Sequence, residues 1–486
     1  MEGLLKEMTK EEKKQAIKVL RDNITARLNT IKDSKVPFVV IVEGWEASGK
    51  GRMINELIKN IDPRFYAVFV NEADSNQERY SFMYPYFNAI PEDGKFRFYD
   101  GAYMQSTLEQ CFDGKLSQDQ YNDRIQSVNN FERTLINNGY AVLKIFLNIS
   151  RKEQMKRMNK LLDNKDTAWR VQEKDLRQNA NYKAWKKAYF AFMEETSLYS
   201  PWNVVDVEDK TSAKYEGFKL LSDAIDNALE NGKFIGEPYE EEFEMKKTPL
   251  LKDVDLDKSV SEEEYEERLE KLQDEVKELH GIIRKKHIPV ICAFEGWDAA
   301  GKGGAIRRLA YPLDPRGFVV EPIASPDQYE KARHFLWRFY KRLPKTGHVT
   351  IFDRTWYGRV MVERLEGFCA ENDWKRAYNE INEFETELVK EGAVVLKFWI
   401  HIDKDTQLAR FTERQNTPEK QWKITDEDWR NRDKWDDYEV AIDEMIQKTS
   451  TKLAPWHIVE SNDKLYARLK VLEIVKEALE KAVKEK

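Results

Sequence analysis

FEGWDAAGKGG, Phe294 to Gly304, is the stretch that decides the fold of this chain. It follows the apolar run IPVICAF and contains G-x-x-x-x-G-K. A strand that breaks into glycines and then opens a helix is the grammar of a phosphate-binding loop. The glycines let backbone N–H groups point inward, and the helix adds the positive end of its dipole. An altered copy, VEGWEASGKGR, stands 252 residues earlier at Val42 to Arg52, after the run VPFVVIV.

The repeat extends well beyond the loops. Asp62-Pro63-Arg64 matches Asp314-Pro315-Arg316, and Asp100, closing KFRFYD, matches Asp353, closing HVTIFD. Arg157 with Trp169 matches Arg410 with Trp422, and Pro201-Trp202 matches Pro455-Trp456. Such collinearity predicts two related domains. The tract Asn231 to Ser261 mixes Gly, Pro and acidic residues without steady periodicity, so it reads as a connector, either loose or an ordered strap. The predicted division is 1–235, a connector over 236–261, and 262–486, the last opening with a helix from Glu262 to Lys286. Within each copy, short apolar strands alternate with amphipathic helices. That pattern predicts an α/β fold, a parallel sheet sandwiched by helices, with ligands at the carboxyl ends of the strands.

Composition bounds the function. The net charge of −7 disfavours nucleic acid and anionic membranes as partners, so any polyanion must find a local basic patch. No run approaches the roughly 20 apolar residues of a membrane helix. The start MEGLLKEMTKEEKKQ has no apolar signal core. Three widely spaced cysteines, Cys111, Cys292 and Cys369, form no metal pattern and fit a reducing, cytoplasmic setting.

In the second copy Gly296, Gly301, Gly303 and Gly304 shape the loop, and Lys302 can reach phosphate oxygens. The common loop carries Ser or Thr after its Lys to ligate Mg²⁺; here that position is Gly303. Asp298, in the middle of the loop, can supply the hard oxygen instead. Asp353 ends a strand, where a second metal carboxylate belongs. It opens DRTWYGR, so Arg354 and Arg359 follow at once, suited to gripping several phosphates. Between Lys331 and Lys345 stand six Lys or Arg and no acid, whereas Glu78 to Glu92 of the first copy carries a net −1. Lys331, Arg338, Lys341 and Arg342 share one helical face, with Lys345 just past Pro344, where the helix should already have ended. This predicts a binding track for a long polyanion. A third cationic segment from Arg410 includes Arg414, Arg430 and Arg432 interleaved with tryptophans, and predicts a helical lid.

With these residues assembled, the second half resembles the polyphosphate kinase 2 family. The resemblance rests on EGWDAAGKGG, PLDPRGF, LPKTGHVTIFDRTWYGR with VERLEGF, and RQNTPEKQWKITDEDW through APW, covering nearly all of Pro289 to Asn462. It implies two tandem P-loop kinase-like domains with helical lids, and transfer of a terminal phosphate from inorganic polyphosphate to a nucleotide. It also implies metal binding by Asp298 and Asp353, and phosphate contacts from Lys302, Arg354 and Arg359, with lid arginines Arg430 and Arg414. The metal it implies is Mg²⁺, with Mn²⁺ as a substitute. The tandem layout resembles family members whose second domain is active and whose acceptor is AMP; ADP or GDP is the runner-up, and an ATP-dependent nucleoside monophosphate kinase is the rival. A homo-oligomer is compatible with the layout.

The first half departs in one direction. Asp298 becomes Glu46, Arg354 becomes Gly101, Arg359 becomes Ser106 and Arg414 becomes Leu161. Losing phosphate-facing guanidiniums predicts a degenerate, inactive domain, although Gly44, Gly49 and Lys50 remain.

Overall fold

The computed structural model describes residues 8–71 and 79–486, so the tract MEGLLKE at the start lies outside it. The chain forms two compact units. Of the described residues, one takes 8–71, 85–236 and 328–337; the other takes 79–84, 237–327 and 338–486.

Each unit holds one five-stranded parallel sheet. In the first unit, β1 (Phe38–Gly44), β2 (Tyr66–Val70), β3 (Phe96–Asp100), β4 (Ala141–Asn148) and β5 (Trp202–Asp206) run in the order β2-β3-β1-β4-β5. In the second, β6 (Val290–Gly296), β7 (Phe318–Pro322), β8 (Val349–Asp353), β9 (Val394–His401) and β10 (Trp456–Glu460) run in the order β7-β8-β6-β9-β10. All seven residues of β1 are buried. A central strand has neighbours on both edges and helices on both faces, which is why FVVIV reads as a continuous apolar run before Glu43. β5 and β10 are edge strands that the sequence reading did not identify.

The helices Lys10–Ser34 and Glu262–Lys285 open the two copies. Thr9 and Glu12 form a reciprocal capping box at the first. Its buried Ile24, Leu28 and Ile31 correspond at an offset of 252 to buried Val276, His280 and Ile283 of the second. Each helix packs against the last helix of its copy, Lys210–Asn231 and Lys464–Glu485 respectively.

From Glu237 onward the connector is an ordered strap along the second unit. Lys246 N donates to Ser450 O at 2.7 Å, Lys452 N to Glu244 O at 2.7 Å, and Leu251 N to Asp443 Oδ1 at 2.9 Å. No described helix is long and apolar enough to cross a membrane.

Candidate active site

The carboxyl end of β6 runs into the glycine loop. A Cβ on Gly296, at φ +154°, would stand 2.5 Å from Ile400 O of β9, so only glycine lets the loop leave the sheet this closely. The helix Lys302–Ala310 then starts behind Gly301. Lys302 Nζ curls over the loop, donating to Gly296 O at 2.6 Å and Trp297 O at 3.2 Å. Gly303 lies exposed in the first helical turn, and a Cβ there would meet nothing within 4 Å. Gly304 follows it, its N–H bonded to Gly301 O at 2.9 Å.

The register β6–β8 sets Asp353 opposite Phe294, two residues before Gly296. Arg354 comes next with φ 67°, a left-handed backbone unusual for a side chain of this size. Its N–H bonds Phe294 O at 3.1 Å, which fixes the turn. Its guanidinium approaches Asp298 Oδ1 at 3.9 Å. Burial works against the Arg354 charge, but the carboxylates of Asp298, Glu295, Glu427 and Asp353 outweigh it and hold the guanidinium above its usual range. Arg359 pairs with Glu363 at 2.9 Å.

Glu295, which sequence reasoning passed over, moors this segment. Its buried carboxylate accepts from both Thr355 N and Thr355 Oγ1 at 2.7 Å. Further in, Glu385 Oε1 accepts from Trp356 Nε1 at 3.0 Å and Tyr357 OH at 2.6 Å, and Lys397 Nζ donates to Glu385 Oε2 at 2.7 Å. The arginines of DRTWYGR therefore stand on an anchored base.

The segment after β9 forms the helix Lys404–Asn416, a short turn at Pro418–Lys423, then the helices Asp426–Asp433 and Trp435–Thr449. Trp297 of the loop stacks on Trp435, centroids 3.7 Å apart and planes 7° apart. Asn431 Nδ2 donates to Asp298 Oδ2 at 3.0 Å, a contact that nothing in the sequence signals. Arg430 is exposed on the same helix, and Arg414 is half-buried near the end of Lys404–Asn416. Arg410 instead buttresses the loop: its guanidinium donates to Ala299 O and Ala300 O at 2.9 Å and to Asn462 O at 3.0 Å. Burial pushes its pKa down to about 10. Arg157 does the same for Ser48 O at 2.9 Å, so this matched pair is structural.

The expected single basic face over 331–342 is not formed. Two four-residue helices, Gln328–Lys331 and Trp337–Tyr340, replace one continuous helix. Lys331 falls in the first unit and Arg338, Lys341, Arg342 and Lys345 in the second. Arg333 pairs with Glu92 at 2.9 Å and stacks on Trp337, so it is committed within the first unit. Arg338 is buried and donates to Ala324 O at 2.6 Å, while Arg342 Nε lies 3.3 Å from Glu321. Lys331 and Lys341 are exposed, and Lys345 Nζ lies 5.7 Å from the Tyr80 ring.

The first unit repeats the scaffold with altered chemistry. Gly44 approaches Leu147 O of β4 as Gly296 approaches Ile400. Glu43 accepts from Ala102 N at 2.7 Å, and Tyr103 OH donates to Glu132, which pairs with buried Lys144. The functional positions differ. Glu46 Oε1 takes Lys50 at 3.3 Å and also accepts from the Gln105 amide, so the loop lysine is neutralised internally. Burial pushes the Glu46 carboxyl up, but Lys50 and these hydrogen bonds outweigh it and hold it below the usual range. Gly101, at φ +73°, stands where Arg354 stands.

The fold and this site define a class: a P-loop kinase-like protein built twice in one chain. The Polyphosphate kinase 2 (PPK2) family model matches residues 7–233 and again 259–486, and the chain belongs to that family. It is 37% identical over 469 residues to a polyphosphate:AMP phosphotransferase of Pseudomonas syringae pv. tomato, covering 94% of this chain and 93% of that one. A polyphosphate:AMP phosphotransferase of Pseudomonas aeruginosa is 36% identical over 480 residues, covering 97% and 96%. A solved structure assigned to polyphosphate kinase 2 from Pseudomonas aeruginosa PA01 superposes with a TM-score of 0.82 at 34% identity, over 98% of this chain and 97% of that one.

Proposed function

We propose that this chain transfers the terminal phosphate of inorganic polyphosphate to AMP, giving ADP and a chain shorter by one phosphate, and that the second unit performs the transfer. The observation that carries the reading is the collinearity, over nearly the whole chain, with relatives named for that reaction. The choice of unit rests on the loops: Lys302 faces backbone carbonyls, whereas Lys50 is held by Glu46.

An oxygen of the AMP phosphate attacks the terminal phosphorus in line. A new P–O bond forms, the bond to the next phosphate breaks, and its electron pair stays on the shortened chain. A phosphate oxygen needs no strong base, so catalysis is positioning and charge stabilisation. The loop N–H groups and Lys302 hold phosphate oxygens. Arg354 and Arg359 receive charge as it spreads over the transferring group. Arg430 and Arg414, on the segment joined to the loop through Trp435 and Asn431, close over the phosphates. Lys331, Arg338, Lys341, Arg342 and Lys345 are proposed contacts for the chain only as separate points, since they share no helical face.

Asp298 and Asp353 are the proposed Mg²⁺ ligands, with Mn²⁺ as a substitute. The donor set fits: Asp298 lies within the glycine loop and Asp353 ends β8 opposite Phe294, so two hard carboxylates stand at the carboxyl end of the sheet. Mg²⁺ characteristically takes one or two carboxylates together with substrate phosphates and water. When bound, the ion supplies neutralisation of the phosphate charge. A cytoplasmic setting is supported by three free cysteines, one of them, Cys292, buried with its thiol pushed up to about 12 by burial.

A donor-by-acceptor panel tests the reading. Purified protein with Mg²⁺ is given AMP, ADP or GDP as acceptor, and polyphosphate or ATP as donor. ADP formed from AMP and polyphosphate is the expected outcome. Activity with ATP as the sole competent donor would replace the proposal with a nucleoside monophosphate kinase.

A further inference from the structure

The first unit carries a groove that adjoins its altered phosphate loop and extends away from Glu46 and Lys50. Its walls come from the helices Lys10–Ser34, Lys50–Ile58, Arg151–Leu162 and Lys210–Asn231, and it encloses about 1250 Å³. That exceeds the roughly 300–1,000 Å³ of an ordinary small-molecule pocket, so it suits an extended ligand. Glu46, Lys50 and Asp100 are not among its walls; it meets the loop tract at Ala47, Ser48, Gly49 and Arg52. Nine Lys and Arg line it against three acidic residues.

Two of those acids are already committed. Glu56 is held by Lys59 and Lys214, and Glu153 by Lys156 and Arg157. Lys18, Arg52, Lys160 and Lys210 are exposed and have no ion pair among the described residues. The matching surface of the second unit has a different charge. At the offsets that align the helices, Lys18 corresponds to Glu270, Arg52 to Gly304 and Lys160 to Glu413, and Lys210 alone keeps a cation, Lys464. The matched wall positions of the second unit keep six cations, Arg308, Arg410, Arg414, Lys420, Lys464 and Arg468, against three acids, Glu266, Glu270 and Glu413, so the groove of the first unit, with nine against three, is the more basic.

We infer that this groove is an accessory binding site for a linear phosphate chain, engaged through Lys18, Arg52, Lys160 and Lys210. Four exposed cations lining one large groove match a repeating polyanion more closely than a single nucleotide. The choice of inorganic polyphosphate as that polyanion rests on the function proposed above; the groove's affinity for phosphate chains does not.

The test measures equilibrium binding of fluorescent polyphosphate to the full chain at several salt concentrations. The background is Lys302→Ala with Arg354→Ala, which weakens the second unit's own hold. Into it are placed Lys18→Gln, Arg52→Gln, Lys160→Gln and Lys210→Gln together. A control set neutralises Lys152, Lys165, Lys183 and Lys187, exposed lysines of the same unit outside the groove. Affinity is expected to fall at least about tenfold in the groove variant. The slope of log K against log salt is expected to shrink by about 3, at about 0.7 per lost contact. The control set is expected to change both far less. Unchanged affinity and slope in the groove variant, or an equal loss in the control set, would overturn the inference. So would ATP competing as well as a polyphosphate of equal charge. Groove-dependent binding, with no transfer to AMP by the unsubstituted chain, would uphold this site while removing the proposed function, and transfer by the unsubstituted chain with no groove-dependent binding would do the reverse.

Discussion

Arg354 carries both strain and function. Its backbone sits at φ 67°, which costs a side-chain-bearing residue about 1–2 kcal/mol, and the first unit relaxes the same turn with Gly101. Two substitutions separate the roles. Arg354→Ala and Arg354→Gly both remove the guanidinium, and a charged hydrogen bond of about 1.5–3 kcal/mol predicts a rate loss of about 10- to 100-fold in each. Only Arg354→Gly relieves the backbone, so it should be the more stable of the two by about 1 kcal/mol in denaturant unfolding. Equal stabilities would show that the turn is not strained. Glu46 illustrates the opposite change: one added methylene lets its carboxylate reach Lys50, turning a phosphate-facing lysine into half of an internal ion pair.

At the level of elements, the ends of β1 and β6 each bury a glutamate that moors the loop after the neighbouring strand. Burial pushes the Glu43 carboxyl up to about 7, against the pull of Lys50 and of the Ala102 and Gln105 N–H groups. Glu43 Oε2 has no hydrogen-bond partner among the described residues, as a protonated carboxyl in a tight site allows. An unfolded glutamate titrates near 4.3, so between about pH 4.3 and 7 the folded chain binds the extra proton. The stability that Glu43 contributes is therefore complete below the unfolded value and is lost as pH rises through about 7. Glu43→Gln keeps the shape and removes the titration. It should flatten the decline in stability between about pH 5 and 7, where one such group contributes a slope of up to about 1.4 kcal/mol per pH unit. Urea midpoints of variant and parent at several pH values check this; parallel curves would mean that Glu43 is ionised in the fold.

Over the whole molecule, the sequence displays what repeats and conceals what pairs at a distance. Four of the five strands in each sheet, both glycine loops and the helix from Glu262 are legible because apolar runs and glycines are local signals. β5 and β10 escape because WNVVD and WHIVE break up their apolar residues with Asn or His, whereas the equally short edge strands β2 and β7 keep unbroken apolar runs. Arg410 reads as a lid cation in sequence because its carbonyl partners, including Ala299 and Asn462, lie 111 and 52 residues away. The run from Lys331 to Lys345 looked like one track because a count of charges cannot show that Arg333 meets Glu92, 241 residues earlier in the chain. The differences between the two loops were legible residue by residue, and they carry the central claim that the second unit performs the transfer. Matched isosteric substitutions test it most directly. Initial rates of ADP formation from AMP and polyphosphate are measured for Asp298→Asn and for Glu46→Gln, the same position in the two copies. Loss of about two orders of magnitude in kcat for Asp298→Asn is predicted, as for removal of a group that stabilises transition-state charge. A change within about threefold, under about 0.7 kcal/mol, is predicted for Glu46→Gln. The reverse pattern would place the chemistry in the first unit and contradict the account.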